Sequence, residues 1–424
     1  MPSHSLMPSR RAWFARLVAS QLILAACSSE GGSPPNQGDH VSTMHTSAGA
    51  SAAQPSAAKA SAAEDKAERG ASMTAGGSSA APSSPTTPST PAGQQPMQNM
   101  PQAKAMDPMD MADPMDPTTA LDPGDAVQLP VDMGTPTLYW LDIAGGTVTT
   151  ANADGSNDSV VARGSPLSAP DGVTIDPEGK HFFVLNMGTV IGGGNRGSLV
   201  RYNLDGSDPE VIMPPGSKAG DVTFNTGKQV TIDRVNKKLY MGDREGSKVW
   251  RVDYDGKNLE VLISGHGVQQ IVGVGADPTE RHFYFSDRNG KKLFRAGMDM
   301  PAGQTHADRD DVELIYVEKA ATAMPLDIEL DLEHRMIYWT DRTQGKVLGM
   351  HMDMPMGETA EDRSDVELIA DGLTEAIGLA YDHQESTLFV THAGTVSSVK
   401  TDGTGLKRIG SSGNTGISFA RIQQ

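Results

Sequence analysis

The stretch IYWTD at residues 337–341 has the pattern of a short strand that ends in a turn at an aspartate. Five similar stretches occur elsewhere in the chain: LYWLD (138–142), FFVLN (182–186), LYMGD (239–243), FYFSD (283–287) and LFVTH (388–392). Counted between their last residues, successive copies lie 44, 57, 44, 54 and 51 residues apart. Repeats of this length that contain strands are typical of β-propeller blades. The chain is therefore predicted to be all-β, with a six-bladed β-propeller.

Each copy belongs to a unit that can be divided into four strands. An apolar run such as LDIELD (326–331) precedes the copy and suits the innermost strand. A third strand such as KVWRVD (248–253) follows, and an Asp-Gly pair such as 255–256 leads to the outer strand. Asp-Gly between alternating apolar strands is a strong hairpin signal, because glycine tolerates positive φ. Two units replace this pair by longer acidic inserts, at 298–315 and 352–369.

The two ends of the repeat region complement each other. The first copy, at 138–142, has no apolar run before it, whereas GISFA at 416–420 resembles the missing innermost strand. We therefore predict that the C-terminal strand completes the first blade and closes the ring. Such a closure removes an exposed sheet edge without a covalent bond.

The six copies resemble the YWTD repeat, which is the class B repeat of low-density lipoprotein receptors and forms a six-bladed propeller. The resemblance implies that the tyrosine and the tryptophan pack between sheets and that the aspartate ties neighbouring blades by hydrogen bonds. It assigns these roles to Tyr139, Trp140, Asp142, Tyr240, Asp243, Tyr284, Asp287, Tyr338, Trp339 and Asp341. Asn186 and His392 depart from the aspartate. The epidermal-growth-factor and ligand-binding modules of those receptors are absent from the sequence, so no receptor cargo follows from the resemblance.

Residues 1–27 have the pattern of a secretion signal, with arginines before an apolar stretch too short to span a bilayer. The segment ends in Leu24-Ala25-Ala26-Cys27, which resembles the bacterial lipobox, whose cysteine is lipidated. Since the sequence contains one cysteine, lipidation is the simplest role for Cys27. The alternative is an ordinary signal peptide with an incidental cysteine. Serine rather than aspartate follows Cys27, so the resemblance implies a lipoprotein of the outer membrane in a bacterial cell envelope.

Residues 28–134 are predicted to be a disordered tether between this anchor and a propeller at 135–424. There is no Phe, Tyr or Trp between Cys27 and Tyr139, so the segment cannot bury enough apolar area to offset its ordering entropy. Its MDPMDMADPMDP run, at 106–117, fits an acidic spacer better than a metal site. The net charge of −18 argues against nucleic acid and anionic lipid headgroups as direct partners. The membrane is then reached through the lipid anchor alone.

Three arginines are candidate ligand-binding residues. Arg244, Arg288 and Arg342 each follow a motif aspartate on consecutive units. The loops after second strands and the starts of inner strands meet at one face of a propeller, so Gln229 and Gln270 should lie nearby. Such a set could bind an anionic or carboxylate-bearing partner, either a protein or a small molecule. The alternative is that each arginine pairs with a neighbouring acid and has a structural role.

A second candidate set is a metal site formed by Asp171, Glu375 and Asn414 at the same face. Ala169-Pro170-Asp171-Gly172 resembles the Pro-Asp-Gly phrase of gluconolactonase-type propellers, which hold a divalent cation with acids and amides. Oxygen ligands of this kind would suit Ca²⁺. The alternative is that Asp171 and Gly172 simply open a strand.

The sequence thus favours a binding or scaffold module over an enzyme. It contains no HExxH, GxSxG or cysteine–histidine arrangement that would indicate zinc or nucleophilic catalysis. A calcium-dependent, lactonase-like hydrolase at the channel mouth is the enzymatic alternative, and a structural envelope protein is a third possibility. The ligand or partner itself cannot be identified from these residues, because a propeller fold does not specify function.

Overall fold

The computed structural model describes residues 127–131, 133–188 and 194–423. These residues form strands and turns without a helix, and no described helix is long and apolar enough to cross a membrane. The all-β prediction is confirmed for this part of the chain. The predicted signal peptide with Cys27 and the predicted tether as far as residue 126 lie outside the described residues.

The strands form six four-stranded antiparallel sheets, which are the six predicted blades. In chain order, blade 1 contains β1 (Thr135–Asp142), β2 (Thr147–Asn152) and β3 (Ser159–Arg163). Blade 2 contains β4 (Pro170–Asp176), β5 (His181–Asn186), β6 (Ser198–Asn203) and β7 (Glu210–Met213), and a small hairpin of β8 (Lys218–Ala219) and β9 (Val222–Thr223) follows it. Blade 3 contains β10 (Gly227–Asp233), β11 (Lys238–Asp243), β12 (Lys248–Asp253) and β13 (Glu260–Ser264). Blade 4 contains β14 (Ile271–Asp277), β15 (His282–Asp287), β16 (Lys292–Gly297) and β17 (Glu313–Val317). Blade 5 contains β18 (Pro325–Asp331), β19 (Met336–Asp341), β20 (Lys346–His351) and β21 (Glu367–Ala370). Blade 6 contains β22 (Ala376–Asp382), β23 (Thr387–His392), β24 (Thr395–Lys400) and β25 (Lys407–Ser411), and β26 (Ile417–Ile422) is the last strand.

The inner strands are β4, β10, β14, β18, β22 and β26, and each contacts the inner strands of two other blades, so that together they form a ring. β26 lies antiparallel to β1, with Trp140 opposite Ile417 and Thr135 opposite Ile422. The backbone N–H of Gly416 also donates to the carbonyl oxygen of Asp171 in blade 2, at 2.6 Å. The last strand of the described chain is therefore the inner strand of blade 1. The end of the channel at which the inner strands begin is called the mouth below.

The core lies between the blades, as predicted from the tyrosines and tryptophans of the repeat. Tyr139 packs on Phe182 of blade 2, with ring centroids 5.0 Å apart. Trp140 faces the other way, against Phe389 of blade 6, and its indole N–H donates to the carbonyl oxygen of Ser411 at 3.1 Å. Adjacent residues of one strand thus fill two different interblade cores, because successive strand side chains point to opposite faces.

The motif aspartates fix the loop that enters their own blade. The carboxylate of Asp243 accepts the backbone N–H groups of Asn225 and Thr226, at 3.0 and 2.9 Å. These two residues lie between blade 2 and β10, so the aspartate joins consecutive blades through the connecting loop. Asn186 keeps one such bond, because its amide oxygen accepts the N–H of Ser168 at 3.0 Å. His392 instead contacts Ser397 of its own blade, at 2.9 Å.

The residue before the motif aspartate makes a direct bond between blades, which the sequence analysis did not assign. The hydroxyl of Thr340 accepts the backbone N–H of Asp327 in its own blade at 3.1 Å and donates to the carbonyl oxygen of Ile377 in blade 6 at 2.7 Å. Ser286 and Thr391 bridge the neighbouring junctions in the same way. A buried hydroxyl that donates and accepts satisfies two backbone groups at once.

Glycines let the inner strands approach closely just below the mouth. A Cβ atom on Gly273 would lie 2.0 Å from the carbonyl oxygen of Leu326, and one on Gly378 would lie 2.2 Å from that of Thr415. Both distances are shorter than any non-bonded contact that a side chain could make. Only glycine is compatible with this packing, which narrows the channel below the mouth.

Candidate functional site

The mouth carries a cluster of cationic side chains. Arg244, Arg288 and Arg342, from blades 3, 4 and 5, line one cavity together with Lys228 from the start of β10. All four residues are buried, with 4–6% of their surface exposed. The aspartate turn positions each arginine, since the residue after the aspartate donates its backbone N–H to the loop that enters the blade. For Arg288 this bond reaches the carbonyl oxygen of Gln270 at 2.8 Å.

Each arginine side chain is oriented by a neighbour. The guanidinium of Arg244 donates to the Glu245 carboxylate at 2.6 Å, and that of Arg342 donates to Glu375 at 3.3 Å. Arg288 donates to the neutral amide oxygen of Gln270 at 2.7 Å. Burial alone would raise the pKa of Glu245, but the charge and the hydrogen bond of Arg244 hold it below its usual value.

Asp171 and Gln229 meet at the same mouth. The Lys228 ammonium lies 3.0 Å from one oxygen of the Asp171 carboxylate, and both side chains are buried. The amide nitrogen of Gln229 lies 3.4 Å from the other oxygen. The carboxylate that was predicted to bind a metal therefore has an ammonium group beside it.

Each of the predicted metal ligands contacts another side chain of the protein. Glu375 is paired with Arg342. Asn414 accepts the backbone N–H of Ile143 at 2.8 Å and donates to Asp142 at 2.9 Å, so its amide secures the junction between the last strand and blade 1. No group of three or more His, Cys, Asp or Glu residues that could hold a metal ion occurs within the described ranges. The calcium site, and the lactonase that would depend on it, stay predictions.

The charge and size of the mouth favour one anionic group. Among the lining side chains, four are cationic and one, Asp171, is a carboxylate. The floor is formed by Val272, Leu326, Ile377 and Thr415. The cavity has a volume of about 20 Å³, which is room for about one water molecule or one oxygen atom of a carboxylate and not for a sugar lactone.

A groove continues from the mouth between blades 5 and 6. It has a volume of about 380 Å³ and is lined by residues 342–345 and 372–375. Arg342 and Glu375 belong to both the groove and the rim of the mouth. A chain segment that places one acidic side chain in the mouth would have space for its flanking residues in this groove.

Two carboxyl groups, those of Asp327 and Glu329, lie below the mouth on β18. Asp327 accepts the backbone N–H groups of Ile328 at 3.0 Å and of Leu379 in blade 6 at 2.9 Å. Burial raises the pKa of Asp327 to about 8. Burial and the nearby Asp327 also raise the pKa of Glu329 well above its usual value. In the sequence, these two carboxyl groups appear as acidic residues that alternate with apolar ones in LDIELD (326–331).

Comparison with known proteins finds similar sequences and one similar fold. No family model matches the sequence. The chain is 33% identical over 268 residues to low-density lipoprotein receptor-related protein 1 of Pyricularia oryzae, which covers 58% of this chain and 82% of that protein. It is 30% identical over 272 residues to the 3-hydroxyacyl-CoA dehydrogenase-like protein LAM1 of Cochliobolus heterostrophus, and this match spans 57% of the chain and about half (53%) of that relative. A chain of the nidogen/laminin complex superposes with a TM-score of 0.54 at 15% identity, over 69% of this chain and 100% of that chain, and so shares the fold.

Proposed function

Because the chain belongs to the family of low-density lipoprotein receptor-related proteins, we propose that its propeller is a protein-binding module whose mouth holds a carboxylate of the partner. A protein partner is supported by the structural neighbour, which is a chain from a complex of nidogen with laminin. The flanking residues of the partner would occupy the groove between blades 5 and 6.

The observation that carries this proposal is the convergence of Lys228, Arg244, Arg288 and Arg342 on one small cavity. The carboxylates of Asp171, Glu245 and Glu375 contact three of these cations, and a carboxylate of the partner would extend this charged network. Guanidinium groups donate paired hydrogen bonds that match a carboxylate in shape, and arginine is enriched at the energetic centres of protein interfaces.

The first test is selection of random displayed peptides on the immobilised full-length protein. We expect the enriched peptides to share an aspartate or a glutamate. We also expect Arg288→Gln to weaken their binding by tenfold or more, about 1.4 kcal/mol, because it removes a charge from the mouth. Binding is measured by calorimetry with synthetic copies of the selected peptides.

The matched control is Arg295→Gln, which removes the same charge from the same blade. Arg295 lies on β16, away from the mouth, and pairs with Glu313 at 2.7 Å. This variant should bind the peptides as the wild type does. Enriched peptides without an acidic residue, or equal effects of the two substitutions, would show that the mouth does not select a carboxylate.

We further propose that the protein is a lipid-anchored envelope protein, with the propeller held by the predicted tether and its ring closed by the last strand. The support is the sequence Leu24-Ala25-Ala26-Cys27 and the aromatic-free composition of 28–134. Several acyl chains, at about 0.8 kcal/mol per buried methylene, would anchor the protein durably. The outer membrane of a bacterium is the proposed location.

Substituting Cys27→Ser should release the protein from the membrane fraction or leave it unprocessed, because the acyl chains attach to that sulfur. Fractionation of cells and mass spectrometry of the mature N-terminus check this result. A Cys27→Ser protein that is still processed and still sediments with membranes would contradict the lipid anchor. Ser28→Ala, next to the modified residue, serves as the control.

A further inference from the structure

The channel end opposite the mouth contains a cavity of about 390 Å³. It is formed where the inner strands β10, β14 and β18 end, and Tyr381 and His383 of blade 6 complete its wall. Leu129, Pro130 and Val131, which precede blade 1, lie across it. Leu129 remains 41% exposed, so this segment covers the cavity without filling it. The volume is in the range of pockets that hold small molecules.

The wall of this cavity is largely apolar. Ile232, Ala276, Leu330 and Leu332 contribute to it, together with the covering Leu129. A ligand with an apolar body would therefore bury hydrocarbon surface on entering, at about 25 cal/mol per Å².

One carboxyl group in this wall makes no hydrogen bond to the described residues. Ile328 and Leu330 pack into the core between blades 4 and 5, so Glu329, between them on β18, points to the opposite face, toward blade 6, and lines the cavity. Among the residues that the structure describes, no hydrogen bond is found for the Glu329 side chain. The Glu329 side chain is half-buried, so a donor or a cation from a ligand would replace its remaining contact with water.

The other charged groups make the cavity electronegative. Asp331 and Glu333 line it besides Glu329, against one arginine, Arg234. Arg234 donates to Glu178 at 3.1 Å, and the Tyr381 hydroxyl donates to Asp331 at 2.7 Å. The charge balance is thus opposite to that of the mouth.

We propose that this cavity is a second binding site, for a small organic cation that carries one ammonium group on a compact apolar body. The ammonium group pairs with the Glu329 carboxylate, and the apolar body packs against Ile232, Ala276 and Leu330. The ring of Tyr381 adds an aromatic surface of the kind that attracts cations. This site differs from the proposed function in place, in charge and in ligand class.

The test is titration of the full-length protein with cyclohexylamine, benzylamine and hexylamine, followed by nuclear magnetic resonance, with cyclohexanol as the neutral counterpart. We expect saturable binding of at least one amine and at least tenfold weaker binding of the alcohol. Glu329→Gln keeps the shape but removes the charge, and it should weaken amine binding at least tenfold. Ala276→Leu, which reduces the space in the cavity, should weaken both.

Two controls separate this site from the mouth and from a general charge effect. Glu361→Gln removes the same charge from an exposed insert position and should leave amine binding unchanged. Arg288→Gln should likewise leave it unchanged, even though it is expected to weaken peptide binding at the mouth. The proposal is overturned if none of the three amines binds saturably, if cyclohexanol binds as well, or if Glu329→Gln retains wild-type affinity.

Discussion

Deleting residues 417–424 is expected to reduce the stability of the propeller by more than about 5 kcal/mol or to abolish its cooperative unfolding. The deletion removes the six-residue ladder between β26 and β1 and exposes the inner edge of blade 1. It also removes Ile417, whose burial contributes about 2 kcal/mol. Unfolding followed by circular dichroism during heating and in urea measures the effect.

A buried ion pair adds to the expected loss. Arg421 of β26 pairs with Asp382 of blade 6 at 2.8 Å, and the Asp382 side chain is 3% exposed. Removing one partner of a buried pair leaves an uncompensated charge, which costs about 3–5 kcal/mol. The last strand therefore stabilises blade 6 as well as blade 1.

Deletion of residues 423–424 alone is the matched control and should leave the melting temperature close to that of the wild type. A synthetic peptide of residues 414–424, added in excess to the shortened protein, should restore part of the lost stability by refilling the vacant edge. If the protein without 417–424 melts at the wild-type temperature, the last strand does not stabilise the ring.

The blades could be predicted from sequence because their signals are local. The third strand of blade 3 was expected at 248–253 and forms β12 at Lys248–Asp253. The outer strand expected after the Asp-Gly pair at 255–256 forms β13 at Glu260–Ser264. Alternating apolar residues and an Asp-Gly turn decide these strands over a few residues. The β8–β9 hairpin was not predicted, since its two-residue strands carry no such periodicity.

The contacts between blades could not be read from the sequence, because their partners are far apart in the chain. Asn414 meets Asp142 across almost the full length of the propeller, and Lys228 meets Asp171 from another blade. The structure places Arg244, Arg288 and Arg342 at one mouth, since each follows the same turn, and their binding role stays a prediction. Which residues neutralise or orient these arginines depends on how far side chains extend from one blade to the next. A single sequence carries no signal for such contacts.

The two acidic inserts make contacts that their sequences did not predict. The first packs back on the preceding blade. The backbone N–H of Ser264, at the end of β13, donates to the carbonyl oxygen of His306 in this insert, at 2.9 Å. The second insert makes an equivalent contact, in which the backbone N–H of Val317 donates to the carbonyl oxygen of Ala360, also at 2.9 Å. Each insert thus covers part of an outer strand edge that would otherwise be open.

Replacing Arg309 by alanine should destabilise the protein by about 3–5 kcal/mol, because this arginine joins the first insert to two blades. Its side chain has no exposed surface. It donates to the carbonyl oxygens of Leu262 in blade 3 at 3.2 Å and of Gly297 in blade 4 at 2.6 Å, and it pairs with Asp311 at 2.6 Å. Alanine would remove the donor of both carbonyl oxygens and the partner of the half-buried Asp311 carboxylate. Chemical denaturation gives the change in the free energy of unfolding.

The matched control is Arg281→Ala in the same blade. Arg281 pairs with the carboxylate of Asp299, the residue whose backbone carbonyl oxygen accepts from Arg309, but its own side chain is 51% exposed. An exposed pair contributes about 0–1 kcal/mol, so Arg281→Ala should change stability little. Arg363→Ala, in the second insert, should resemble Arg309→Ala, because its side chain is also unexposed and donates to Ile315 of the preceding blade at 3.2 Å. Equal, small effects of all three substitutions would mean that the inserts lie loosely on the propeller and do not hold its blades.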